Sequence, residues 1–197
     1  MKIRAATEAD RDAIWKIFNE VVVAGDTYAL DRNMSREDAL AYWFAPGTHT
    51  YVAEINRPSV GKADSFRGTA SHPSPEAAAR QAPSPTADAE HAVIAGTYIM
   101  RPNQSGGGAH VANAAFMVLA NARGQGIGRA MAEHCLSEAR RLGFRAMQFN
   151  FVISTNVAAI RLWQDLGFKI VGSLPGAFRH PENEYVDVYV MYRWLVP

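Results

Sequence analysis

From Arg123 to Arg129 the chain places glycine at 124, 126 and 128, and this is the stretch whose residue types best suit ligand chemistry. An apolar, β-leaning run (114–119) leads into it. A helical pattern of Ile127, Met131, Cys135, Ala139 and Leu142 leads out. A strand that empties through a glycine loop into a helix N-terminus builds an anion site. The first-turn N–H groups there have no intrahelical partner, and the macrodipole favours negative charge. Glycine lets a phosphate approach the backbone with no Cβ in the way. The ligand these residues point to is therefore phosphorylated.

Two familiar phosphate loops differ from this one. A dinucleotide fingerprint needs G-x-G-x-x-G and an acidic residue on the next strand, whereas here the spacing is G-x-G-x-G and the next strand reads Ala146, Met147, Gln148, Phe149. The loop ending in G-K-[ST] is also absent. Other chemistry-bearing residues are sparse. Cys135 is the single cysteine, which rules out an internal disulfide and a multi-cysteine zinc site, and on the inner face of its helix it reads as packing. The histidines show no metal-ligand spacing, so no metal is expected.

The elements that position the loop follow from periodicity. Residues 2–5 form a short strand, and Thr7 caps a helix whose apolar positions Ile14, Ile17, Phe18, Val21 and Val22 run to about residue 23. A loop bearing Asp26 and Tyr28 leads to a second helix, capped by Ser35 and faced by Ala39, Leu40, Trp43 and Phe44. β-Branched and aromatic content marks strands at 50–55, 91–100 and 111–119, the last feeding the glycine loop. After the loop's helix come a strand at 146–153, a helix started by Ser154, Thr155 and Asn156, and strands at 168–171 and 186–194. The order β-α-α-β-β-β-α-β-α-β-β suits an α+β fold. Its sheet would be mixed and mostly antiparallel, of about seven strands, with helices on both faces.

Residues 57–90 differ in kind. Five of the ten prolines (58, 73, 75, 83 and 85) fall here among many Ala and Ser, with almost no large apolar side chains. Such composition cannot bury enough surface to offset its ordering entropy, so the segment reads as a long mobile insertion at a hairpin tip of a single domain.

Arg123, Gly126 and Gly128 fall on the defining positions of the R/Q-x-x-G-x-G/A loop, and the stretch resembles the acetyl-CoA loop of the GNAT superfamily of N-acetyltransferases. A second run, Asn156, Ala159, Ile160, Leu162, Trp163, Gly167 and Phe168, resembles that superfamily's N-x-x-A-i-x-l-Y-x-x-x-G-F signature, one strand after the loop's helix. The start of the chain, Ile3, Arg4, Ala6, Thr7 and Asp10, resembles the phosphinothricin-type members. The resemblance implies the GNAT fold and acetyl-CoA as co-substrate. The pyrophosphate would lie over the N–H groups of Gln125, Gly126, Ile127, Gly128 and Arg129, beside Gly124. Arg123 and Arg129 would add charge-assisted contacts. Backbone groups near Phe116, Met117, Val118 and Leu119 would hold the pantetheine and polarise the thioester carbonyl, and an acceptor amine would attack directly.

The chain departs from that pattern at two places. Trp163 stands where the family often has a tyrosine that protonates the leaving thiolate, and an indole N–H cannot do this. Asn121 stands where a glutamate is often found. A subgroup of fungal acetyltransferases acting on proline analogues such as azetidine-2-carboxylate shares Phe149, Asn150, Thr155, Asn156, Arg161, Trp163 and Leu166. That resemblance implies Asn113 and Asn150 as the residues orienting the acceptor, with Asn156 holding a water or CoA; the plainer alternatives are a solvated strand face for Asn113 and a helix cap for Asn156. Asp26 and Tyr28 occupy a loop similar to the family's acceptor-lining loop.

Composition bounds the partners. A net charge of +1 gives no general pull toward nucleic acid or membrane. No apolar run reaches the ~18 residues of a membrane span, and the first residues lack a signal peptide's apolar core, so the expectation is a cytoplasmic protein. A small-molecule amine is the expected acceptor, and a homodimer is compatible with the reading. Other classes left open are a non-catalytic acyl-CoA sensor, an acetyltransferase of protein N-termini or lysines, and an assembly module tethered by the insertion.

Overall fold

The computed structural model describes residues 1–57 and 91–196; apart from Arg57, the Pro/Ala/Ser-rich insertion lies outside the described residues. Along the chain come β1 (Lys2–Ala5), α1 (Arg11–Ala24), α2 (Arg36–Trp43), β2 (His49–Arg57), β3 (His91–Pro102) and β4 (Val111–Val118). Then follow α3 (Ile127–Arg141), β5 (Ala146–Ile153), α4 (Val157–Asp165), β6 (Lys169–His180) and β7 (Glu184–Trp194). They build one 7-stranded sheet in the order β1-β2-β3-β4-β5-β7-β6. Among the described strands only the β4–β5 pair is parallel. This is the mixed, mostly antiparallel α+β sheet expected from the element order and the family resemblance.

Alternation along β3 shows how the helices divide between the two faces. On one face Tyr98 Oη lies 2.7 Å from His134 Nδ1 and Met100 Sδ lies 3.8 Å from Cys135 Sγ, both partners belonging to α3. On the other face Thr97 Oγ1 accepts from the Trp43 indole of α2 at 3.0 Å. Ile14, Ile17 and Phe18 of α1 and Trp43 of α2 are buried almost completely. Each such side chain contributes roughly 1.5–3 kcal/mol of burial. α4 joins α3 on its face through the Arg129–Asp165 ion pair.

Two local expectations change. The first helix is preceded by a single 3-10 turn (Glu8–Asp10), because Thr7 and Asp10 form a capping box around it. β6 extends to His180 where the sequence suggests a strand ending at residue 171. Gly172, Pro175 and Gly176 would break a central strand, but β6 is the sheet's edge. Register shifts between Ile170 and Gly172 and between Leu174 and Phe178 absorb them, as edge strands allow.

Candidate active site

β4 and β5 pair only at Val111↔Ala146 and Ala112↔Met147, and beyond these two rungs the strands diverge. β4 stays paired with β3 as far as Val118. Its other edge therefore faces a gap. Leu119 N–H donates back to Ala95 C=O at 2.9 Å, so by alternation the peptide edges of Phe116 and Val118 point into that gap. The result is a cleft of about 540 Å³ lined by residues 113–118, 149–153, Asn156, Ala159 and Trp163, with the loop before α2 at one end. Trp163 closes an aromatic wall: its ring centroid is 5.1 Å from that of Phe116 and 4.5 Å from that of Phe149.

The glycine loop leaves β4 at the mouth of this cleft. Glu20 of α1 accepts from Ala120 N–H at 2.6 Å and fixes the exit. Gly124 and Gly126 sit at φ 77° and 78°, and a Cβ at either would meet nothing within 4 Å. The left-handed backbone, not crowding, is what calls for glycine there. Gly126 caps α3, whose first turn carries no acidic residue and whose cap lacks a side-chain hydrogen bond. Gly128 is different. Its φ is ordinary and a Cβ would only touch Leu162 Cδ2 at 3.9 Å, so nothing in the protein itself calls for glycine there. Its open side fits a phosphate against the helix N-terminus.

The two flanking arginines are not equivalent. Arg123 is exposed and lines the cleft; its N–H donates back to Ala120 C=O at 3.2 Å, and its guanidinium has no hydrogen-bond partner among the described residues. Arg129 is paired through Nη2 with Asp165 at 2.7 Å, so what it offers a phosphate is chiefly its backbone N–H. The Gln125 side chain turns back to Asn121 C=O at 3.3 Å.

At the far end of the cleft lies a chain of amides. Asn103 Oδ1 accepts from Asn113 Nδ2 at 3.1 Å and from Asn150 Nδ2 at 2.7 Å. Asn150 Oδ1 accepts in turn from Gln148 at 2.8 Å. Arg101, opposite Asn113 across β3 and β4, lies over the Tyr42 ring at 5.0 Å and has no ion-pair partner among the described residues. Neither Arg101 nor Asn103 stood out in the sequence. Both lie on the β3–β4 hairpin, and only its register brings them beside Asn113. A cation and an amide at the polar end of an apolar strand were the available signal.

Asn156 caps α4, its Oδ1 accepting from Ala159 N–H at 3.1 Å. Its Nδ2 has no partner among the described residues, so capping leaves a donor available at the cleft. Beside it a polar chamber of about 390 Å³ is lined by Asp26, Thr27, Arg123, Thr155, Asn156 and the turn at 180–183. Asp26 Oδ1 and Thr27 Oγ1 are buried without hydrogen-bond partners. Tyr28 lies in the main cleft, where its hydroxyl bonds both backbone groups of Phe116, and burial raises its pKa so that it stays protonated. Burial also pushes the Cys135 thiol up, which makes it inert packing. Among the described residues no cluster of His, Cys, Asp and Glu could hold a metal.

The Acetyltransferase (GNAT) family model matches residues 62–168. N-acetyltransferase aca1 of Schizosaccharomyces pombe is 31% identical over 180 residues, 91% of this chain and 77% of that protein. An N-acetyltransferase structure from Kribbella flavida is similar with a TM-score of 0.75 at 37% identity, covering 98% of this chain and 96% of the other. A Sinorhizobium meliloti phosphinothricin acetyltransferase in complex with acetyl-CoA shares the fold, with a TM-score of 0.73 at 18% identity over 99% of this chain and 88% of its own. Sequence over more than half the chain and fold over nearly all of it agree: the protein belongs to the GNAT family of acetyltransferases, and its co-substrate is acetyl-CoA.

Proposed function

We propose that the enzyme acetylates the amine of a small molecule that also carries a carboxylate, an amino acid or proline analogue. The observation that carries this reading is Arg101. A half-buried guanidinium that lines the cleft without a carboxylate partner among the described residues suits a carboxylate from outside, which it can take with two parallel hydrogen bonds. Its neighbour Asn113 has committed Nδ2 to Asn103, which leaves Oδ1 free to accept from the acceptor's N–H.

The acetyl donor fits the residues at the other end. Phosphates suit the N–H groups of 125–129 with Arg123 beside them, and the extended arm suits the inward peptide edges at Val118 and Phe116. The amine attacks the thioester carbonyl, so a C–N bond forms, the C–S bond breaks and the nitrogen loses a proton. An inward backbone N–H stabilises the negative charge that develops on the carbonyl oxygen. The Trp163 indole gives no proton to the leaving sulfur; solvent suffices for a thiolate whose conjugate acid has a pKa of about 8.5.

The test is to follow CoA thiol release with amino acids and proline analogues, their carboxamides, polyamines and peptides bearing a free N-terminus or lysine. Release confined to acids with a free amine supports the reading. Release only with peptides would replace it with a protein acceptor.

A further inference from the structure

Tyr28 and Phe116 stand 88 residues apart, yet the Tyr28 hydroxyl accepts Phe116 N–H at 2.9 Å and donates to Phe116 C=O at 2.7 Å. One side chain thus does for Phe116 what the next strand would do in a continued ladder. It does so where β5 has already left β4, in the middle of the cleft.

That position is contested. With the phosphates at 123–129, a donor arm running back along β4 meets the inward edge of Val118 first. It meets that of Phe116 second, about 6.6 Å further at ~3.3 Å per residue. The thioester lies at the tip of the arm, beyond its last amide, so the N–H it reaches is that of Phe116. One N–H cannot bond both a thioester oxygen and the Tyr28 hydroxyl at full strength.

We propose that Tyr28 is a positioning residue for acetyl transfer: its hydroxyl holds Phe116 N–H in place of the thioester oxygen, and yields it when acetyl-CoA binds. Thr27, Tyr28, Ala29 and Leu30 all line the cleft, so this exchange also resets the loop that borders the acceptor. Donor binding therefore precedes productive acceptor binding. Free CoA, which has no thioester carbonyl, leaves the Tyr28 bond in place. The inference depends on the acyl donor and not on the choice of acceptor.

The test is calorimetric titration of wild type and Y28F with acetyl-CoA and with free CoA. Removing the competing hydroxyl destabilises only the ligand-free state, so Y28F binds acetyl-CoA about fivefold tighter, the worth of one net hydrogen bond, and free CoA unchanged. Melting must agree: Y28F unfolds at a lower temperature without ligand, and saturating acetyl-CoA closes the gap. Acetyl-CoA binding that is unchanged or weaker in Y28F, an equal gain for both ligands, or a melting gap that persists would overturn the proposal. In the wild type, ring ¹³C signals of Tyr28 shift on adding acetyl-CoA but not CoA. Signals that stay in place with acetyl-CoA would overturn it without any variant.

Discussion

Asn113 and Asn150 sit on strands that have just parted, and a single atom ties them together: Asn103 Oδ1 accepts from both, at 3.1 and 2.7 Å. The shared acceptor fixes which way each amide faces. It leaves Asn113 Oδ1 pointing its lone pairs elsewhere, as an amine acceptor needs. If Asn103 orients the pair, N103L raises the acceptor KM about tenfold, the equivalent of ~1.4 kcal/mol, and leaves acetyl-CoA affinity alone. N103D keeps an accepting oxygen in place and retains most of the activity. Equal damage in both variants would show that Asn103 serves stability and not orientation.

Gly126 and Gly128 separate backbone strain from ligand contact. Gly126→Ala forces a side chain into φ 78°, a cost of about 1–2 kcal/mol. That loss shows as a lower melting temperature. Gly128→Ala meets only Leu162 at 3.9 Å and leaves the melting temperature unchanged or slightly higher. If the phosphate approaches here, as proposed, the added methyl lowers acetyl-CoA affinity roughly tenfold, again ~1.4 kcal/mol. Calorimetry and melting on both variants check the split.

Trp163 is packing and wall, not a proton donor. W163F keeps kcat within about threefold, because no proton transfer depends on the indole. W163A removes a ring buried against Phe116, Phe149 and Phe168 and lowers stability by about 3–5 kcal/mol. A collapse of kcat in folded W163F would require a chemical role for the ring.

Acid stability reports on Asp10. Arg4 bonds its carboxylate, which burial opposes and Thr7 supports, and holds its pKa down at about 2. A depressed carboxylate pKa stabilises the fold above the unfolded value near 4, and that contribution fades as pH falls through the folded value. Wild type should therefore lose about 2 kcal/mol between pH 4 and pH 2 from this group. D10N loses the same amount at pH 7 and shows a flatter acid limb in denaturant melts.

How much of this was legible in the sequence depends on the range of each interaction. The strand, glycine loop and helix around Arg123 declare themselves because each is local, and so does the Asn156 cap. The order of elements along the chain follows from alternating patterns, whereas the place of β7 between β5 and β6 in the sheet does not. Nor does the extension of β6, because Pro175 and Gly176 break a central strand but not an edge. The residues around Asn113 were hidden for a different reason. Asn103, Arg101 and the Tyr28–Phe116 bond are consequences of register and of loops meeting across the sheet, which no window of sequence contains.

Arg101 is proposed to receive the acceptor's carboxylate. The direct measurement is kcat/KM for an amino acid acceptor and for its carboxamide, in wild type and in R101Q, by thiol release. Wild type should prefer the acid by tenfold or more, in line with the ~1.5–3 kcal/mol of a charged hydrogen bond. R101Q should lose most of that preference while the carboxamide's rate barely changes. Equal rates for acid and amide in the wild type, or an R101Q that slows both alike, would contradict it.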